Sequence, residues 1–235
     1  HDKDDTTGAF YFLVEEFGKL PPERALKLTK SIPEDYPFVK SEALRAIAQE
    51  LGKLPAERAE PLFKQVLEIA SHTPLLVPDG APINSEALGA IAWELGKLPP
   101  ERAIEIAKSI PDTDAKSKAL RAIVVDLGKL PPKRAESLFM QVLEIAKSIP
   151  YADAKSEALG AIAGELSKLS PKRALEIAKS IPSNGVKSEA LGAIAGEWSK
   201  SSPEKAELLF KQAIEVVKGI PGAYYKSEAL SVIAK

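Results

Sequence analysis

The chain has 235 residues, 45% of them hydrophobic and 28% charged, which is the balance of a globular protein of one to two domains. With 32 Lys+Arg against 33 Asp+Glu the formal charge is −1, so no net field draws nucleic acid or an anionic membrane, and neither is expected as a partner. The longest wholly apolar run, Ala9 to Val14, is six residues where a spanning helix needs about 20, so membrane insertion is not expected; the absence of Cys excludes disulfides and thiolate chemistry.

Asn is nearly absent (Asn84 and Asn184), Met occurs once, and 19 Pro fall mostly in apparent loops. That composition resembles the avoidance of thermolabile residues in proteins from hot environments. The first residue is His1 rather than Met, from which a removed leader or a longer gene product is expected, with a secreted or cell-surface location in the first case.

Residues 1–6, with Asp2, Asp4 and Asp5, read as a flexible acidic tail. From residue 7 to residue 235 the chain repeats itself and is expected to form one repeat domain. Lys-Ser-Glu-Ala-Leu stands at 40–44, 155–159, 187–191 and 226–230, with variants at 84–88 and at 116–120, where Lys118 replaces the Glu. Repeats begin near 7, 41, 85, 117, 156 and 188, and a partial one near 227; from residue 85 their lengths alternate between 32 and 39, so the larger unit is a pair of 71 residues. Residues 85–120 and 156–191 agree at 26 of 36 positions, the mark of internal duplication.

Each repeat reads as two helices. In the first, helix A, Leu44, Ile47, Ala48 and Leu51 recur at i, i+3, i+4 and i+7 and make one apolar face. Helix A ends at Gly52-Lys53-Leu54, where the Gly is expected to take a left-handed cap conformation. Helix B opens on a Pro that needs no amide hydrogen and stops before the Pro of Ile110-Pro111. In alternate repeats helix B carries seven further residues, such as Glu136 to Val142, nearly two turns that keep its apolar face in phase. The sequence therefore predicts an all-α fold, an α-solenoid of about six helix hairpins with alternating short and long second helices, and no sheet.

Helix pairs of about 34 residues, with Ala206-x3-Phe210-x2-Ala213 in the second helix and a closing Pro, resemble tetratricopeptide-type repeats over residues 7–235. The Trp and Leu-Gly of that family's first helix have no counterpart here, and a HEAT-like stack is the nearest rival. The resemblance implies a binding or assembly role and brings no catalytic residue.

No catalytic, metal or cofactor site is expected. Two histidines, His1 and His72, are too few for a metal cage, and no His-Glu-x-x-His, nucleophile elbow or phosphate-binding loop occurs. The recurrent Glu of helix A (Glu16, Glu50, Glu94, Glu165, Glu197; Asp126 in the fourth repeat), with a Lys three places on, reads as a solvated ion-pair ladder.

Framework positions match between repeats, so positions that differ are free to face solvent or a partner. Two of these lie four residues apart on helix A. One runs Arg45, Gly89, Arg121, Gly160, Gly192; the other runs Gln49, Trp93, Val125, Gly164, Gly196. Mid-helix Gly costs about 0.5–1 kcal/mol relative to Ala, so this stripe reads either as tight helix packing or as a docking surface for another chain, with Trp93 and Arg45 or Arg121 as anchors. The first helix instead substitutes Phe10, Tyr11, Phe12 and Phe17 for small framework residues. With Leu230 and Ile233 of the partial last repeat, these are the expected contacts of a head-to-tail self-assembly into a filament, the partner being other copies of the chain; a monomeric adaptor holding a peptide or partner domain on its A face is the alternative.

Overall fold

A computed structural model describes residues 16–73, 83–200, 202–219 and Ser227. Among these residues there are eleven α-helices and no strand. In chain order they are α1 (Pro22–Lys30), α2 (Pro37–Leu51), α3 (Ala56–His72), α4 (Ile83–Leu95), α5 (Pro100–Ser109), α6 (Thr113–Leu127), α7 (Pro132–Ser148), α8 (Ala152–Ser167), α9 (Pro171–Ser180), α10 (Asn184–Ser199) and α11 (Pro203–Lys218). The A helices are α2, α4, α6, α8 and α10, and the B helices are α1, α3, α5, α7, α9 and α11. The tail at 1–6, most of the first A helix and the partial last repeat lie outside the described residues.

Proline sets most boundaries. It occupies the first turn of α1, α2, α5, α7, α9 and α11, where a missing amide hydrogen costs nothing. It also ends helices from one residue beyond. Ile110, Ile149 and Ile181 each precede a Pro, whose ring disfavours the helical conformation, and each is extended, with ψ of 119°, 123° and 125°. All three isoleucines are buried, so the turn that stops helix B also adds an apolar side chain to the core. Pro61 is the exception, lying inside α3 where it leaves one carbonyl of the preceding turn without its helical donor.

The alternation of helix B lengths is present: α3 and α7 have 17 residues and α11 has 16, against 9 for α1 and 10 for α5 and α9. Apolar residues of the insert continue the buried face, with Phe63 and Phe139 fully enclosed.

Two compact units make up the chain, His1–Ala122 and Ile123–Lys235. In the first, A helices α2 and α4 pack side by side, while α1, α3 and α5 lie against them and against one another in sequence. Leu44, Ile47, Leu51, Ile91 and Leu95 form the centre of that core. In the second, α8 and α10 pack side by side with α7, α9 and α11 against them, around Phe139, Ile162 and Ile194. Four of the serines that mark the repeats are buried (Ser41, Ser117, Ser156, Ser188), whereas Ser227 is exposed. Ser156 shows one reason for it: its hydroxyl donates to the Ala152 carbonyl at 2.6 Å and accepts the amide of Ser183 at 3.0 Å, tying helix A to the residue that opens the next.

One expectation fails. Gly52 is right-handed, with φ −62° and ψ −15°, so it is not a left-handed cap. A Cβ there would run into the carboxylate of Glu94, which the following A helix presses onto it; Gly128 receives Glu165 in the same way, at 2.6 Å. These glycines serve a close approach between repeats rather than a backbone angle.

Candidate functional site

The ladder at the ends of the A helices is only half solvated. Each lysine end is open to water, and the pairs close at three residues' spacing, for example Lys53 on Glu50 at 2.5 Å and Lys168 on Glu165 at 2.7 Å. The carboxylate ends range from 43% exposed at Glu16 to 7% at Glu94, and those of Glu94 and Glu165 seat on Gly52 and Gly128 of the preceding repeat. Lys97 keeps the buried Glu94 carboxylate neutralised, with its Nζ 2.9 Å from Oε1.

A second set of ion pairs escaped the sequence reading. Arg58 of α3 donates to Glu23 of α1 at 3.1 Å, Arg102 of α5 to Glu60 of α3 at 2.7 Å, and Arg173 of α9 to Glu136 of α7. Each arginine is the third residue of a B helix and reaches back to the B helix before it. The signal was there in the recurrence of Arg24, Arg58, Arg102, Arg134 and Arg173, always before Ala. Glu23 lies below the ordinary carboxylate range, first through backbone hydrogen bonding in its helix turn and then through the Arg58 guanidinium. Glu207 is lowered too, by its hydrogen bond from Lys211. His72 ends α3 in the open, its Nδ1–H donating to the Glu68 carbonyl at 2.7 Å.

At the two variable positions of the A helices the described residues are half-buried or exposed. Arg45 is half-buried, its guanidinium held by the buried Glu42 carboxylate through Nη2 at 2.5 Å and Nε at 3.2 Å. Gln49 and Arg121 are exposed, and Trp93 is 68% exposed, a large apolar surface left in water. Val125 is 49% exposed in the same register. Lys118, the residue that replaces Glu in the repeat motif, lies with its ammonium 3.7 Å from where a Cβ of Gly89 would stand, one turn from Trp93.

The glycines of the stripe divide. At Gly160 a Cβ would meet Val186 Cγ1 at 2.5 Å, so this Gly permits close packing of α10 on α8. At Gly164 and Gly196 a Cβ would meet nothing within 4 Å, so no neighbour among the described residues explains them. Gly192 is half-buried. Of the residues expected to mediate self-association, Phe17 is 9% exposed and buried in the chain's own fold, while Phe10, Tyr11, Phe12, Leu230 and Ile233 lie outside the described residues.

A recess of about 410 Å³ lies between α3 and α5, bordered by Lys64, Leu67, Glu68 and Glu105. Lys64 is paired with Glu60 and Glu105 with Lys108, so its charged groups are engaged in helix-surface pairs. Among the described residues there is no group of three or more His, Asp or Glu able to hold a metal ion, and no helix long and apolar enough to cross a membrane. In comparison with known proteins, no family model matches the chain and no curated protein matches its sequence.

Proposed function

We propose that the chain is a non-catalytic, tetratricopeptide-like α-solenoid of about six repeats that serves protein–protein association through the outward face of its A helices. The single observation that carries this reading is Trp93. An indole 68% exposed in the last turn of α4 forgoes its burial within the fold, and such rings are enriched at the centres of protein interfaces. Gln49, exposed at the same register of the neighbouring A helix, and Lys118, whose ammonium lies by Gly89 one turn from Trp93, add polar groups to this face. Gly164 and Gly196, at the corresponding register of the second unit, leave bare helix surface that no side chain among the described residues covers.

The test is selection of peptides from a random display library on the chain, followed by titration of the selected peptides against a Trp198→Phe variant in which Trp93 is the one remaining Trp. Saturable change in its emission, lost in Trp93→Ala for an orthogonal readout such as calorimetry, is the expected result. Peptides that bind Trp93→Ala equally well would sink the reading. Head-to-tail assembly through Phe10, Tyr11, Phe12, Leu230 and Ile233 is a second mode, supported by the aromatic substitutions in the sequence. Sedimentation of the chain beside a Phe10→Ser, Phe12→Ser variant decides it: equal mass at every concentration removes that mode.

A further inference from the structure

Of the two asparagines in the chain, Asn184 is followed by glycine. An Asn-Gly pair is chemically weak because the backbone nitrogen of the second residue can attack the side-chain amide of the first, and glycine offers no Cβ to hinder the approach. A regular helix suppresses that reaction by engaging this nitrogen in a hydrogen bond and fixing the backbone. Asn184 escapes part of that protection. It is exposed and is the first residue of α10.

The amide of Gly185 belongs to the helix turn whose donors have no carbonyl behind them. The first amide of α10 to reach back into the preceding turn is that of Lys187, which donates to the Ser183 carbonyl at 2.9 Å. Ser183 stands at the N-cap position, where its hydroxyl could have engaged the Gly185 amide, yet it makes no side-chain cap. At Gly185 itself, a Cβ would find only the Ser183 hydroxyl among the described residues, at 3.8 Å, so an alanine side chain can be accommodated there. The helix start is also electrostatically incomplete. The A helices α6 and α8 carry Asp114 and Asp153 in their first turns, whereas α10 has no acid there. A negative charge at that end is favoured by the helix dipole.

We propose that Asn184 is a site of spontaneous deamidation, which converts the start of α10 from a neutral to an acidic helix terminus. The Gly185 nitrogen, losing its proton to solvent base, forms a bond to the Asn184 side-chain carbonyl carbon. The side-chain carbon–nitrogen bond breaks and ammonia leaves, giving a five-membered imide. Water then opens the ring at one of its two carbonyls. Opening at one yields an ordinary aspartate with the backbone unchanged; opening at the other yields isoaspartate, whose backbone runs through the former side chain and carries an extra methylene. The first product supplies the acid that α6 and α8 already have. The second displaces the turn that holds the Ser183 amide on the buried Ser156 hydroxyl.

The test uses the full chain, incubated at mildly alkaline and at mildly acidic pH, digested with trypsin, and followed by mass spectrometry. The peptide containing Asn184 should gain about one dalton, faster at alkaline pH, and should split chromatographically into two acidic products. Gly185→Ala should slow the conversion at least about tenfold by placing a Cβ beside the attacking nitrogen. Circular dichroism of that variant checks that α10 is retained, and an Asn184→Asp chain serves as the product standard. An unchanged Asn184 peptide after prolonged alkaline incubation would overturn the proposal, as would equal conversion in Gly185→Ala.

Discussion

Helix α8 holds three neighbouring answers to one question, and the seam where A helices meet holds a fourth. Leu159 is core, Gly160 is pressed by Val186, and Gly164 meets nothing, while at the seam Gly52 carries the Glu94 carboxylate on its bare backbone. Sequence treats Gly160 and Gly164 alike, as mid-helix glycines four residues apart. Packing separates them: one is small because a neighbour is close, the other although no neighbour among the described residues is. Position along the helix therefore says less about a repeated glycine than what the adjacent repeat does with the space.

Substitutions can break that comparison, beginning with the scale it is measured on. Leu159→Ala should lose about 2–5 kcal/mol, since it opens a cavity in the centre of the second unit, read as the shift in urea midpoint at constant slope. Gly160→Ala and Gly52→Ala should each lose about 1–3 kcal/mol. In the first the stiff Val186 has to shift, and in the second the Glu94 carboxylate is driven off its seat and from Lys97. Gly128→Ala should cost less than Gly52→Ala, because Glu165 is more open to water and moves aside more easily. Gly164→Ala and Gly196→Ala should reverse the sign and stabilise by about 0.5–1 kcal/mol each, the cost of mid-helix Gly with no contact to lose. If all of these glycine substitutions destabilised equally, the division between pressed and open positions would be wrong.

The charged edge supplies the smallest effects. Lys168→Ala, on a pair whose lysine is open to solvent, should cost less than about 1 kcal/mol and less still in high salt. For Glu23 the folded carboxyl lies below its ordinary range, so whatever it contributes is present above the unfolded value and fades as pH falls through the folded one. Glu23→Gln should therefore lower the thermal midpoint slightly at neutral pH, with the difference from the parent chain closing as pH falls through the folded value.

Much of the local structure was readable because prolines punctuate it. Pro22, Pro100, Pro132, Pro171 and Pro203 announced helix starts, and the seven extra residues of Glu136 to Val142 announced the longer helix. What stayed hidden depends on residues far apart in the chain. Arg102 and Glu60 are 42 positions apart and become neighbours only when consecutive B helices align. Gly52 looked like a cap because glycine after a helix commonly is one, and nothing local reveals that the distant Glu94 carboxylate needs the space. Glu94 and Glu165 occupy one register and each sits on a glycine of the preceding repeat, yet one is 7% and the other 23% exposed, a difference that spacing does not show. On the A-helix face the shared register of Gln49, Trp93 and Gly164 was legible from spacing; that Gly160 and Gly164 differ was not, since the distinction rests on Val186.

The alternation of short and long B helices also constrains how the gene can change length. Residues 85–155 and 156–226 are consecutive copies of one 71-residue cassette. Unequal crossing-over between two such copies adds or removes a whole cassette in frame, and every short B helix still follows a long one. Loss of a single repeat of 32 or 39 residues would set two B helices of one length side by side. Recombination is thus free in steps of two repeats and penalised in steps of one, so natural length variants of such an array should differ by multiples of the cassette.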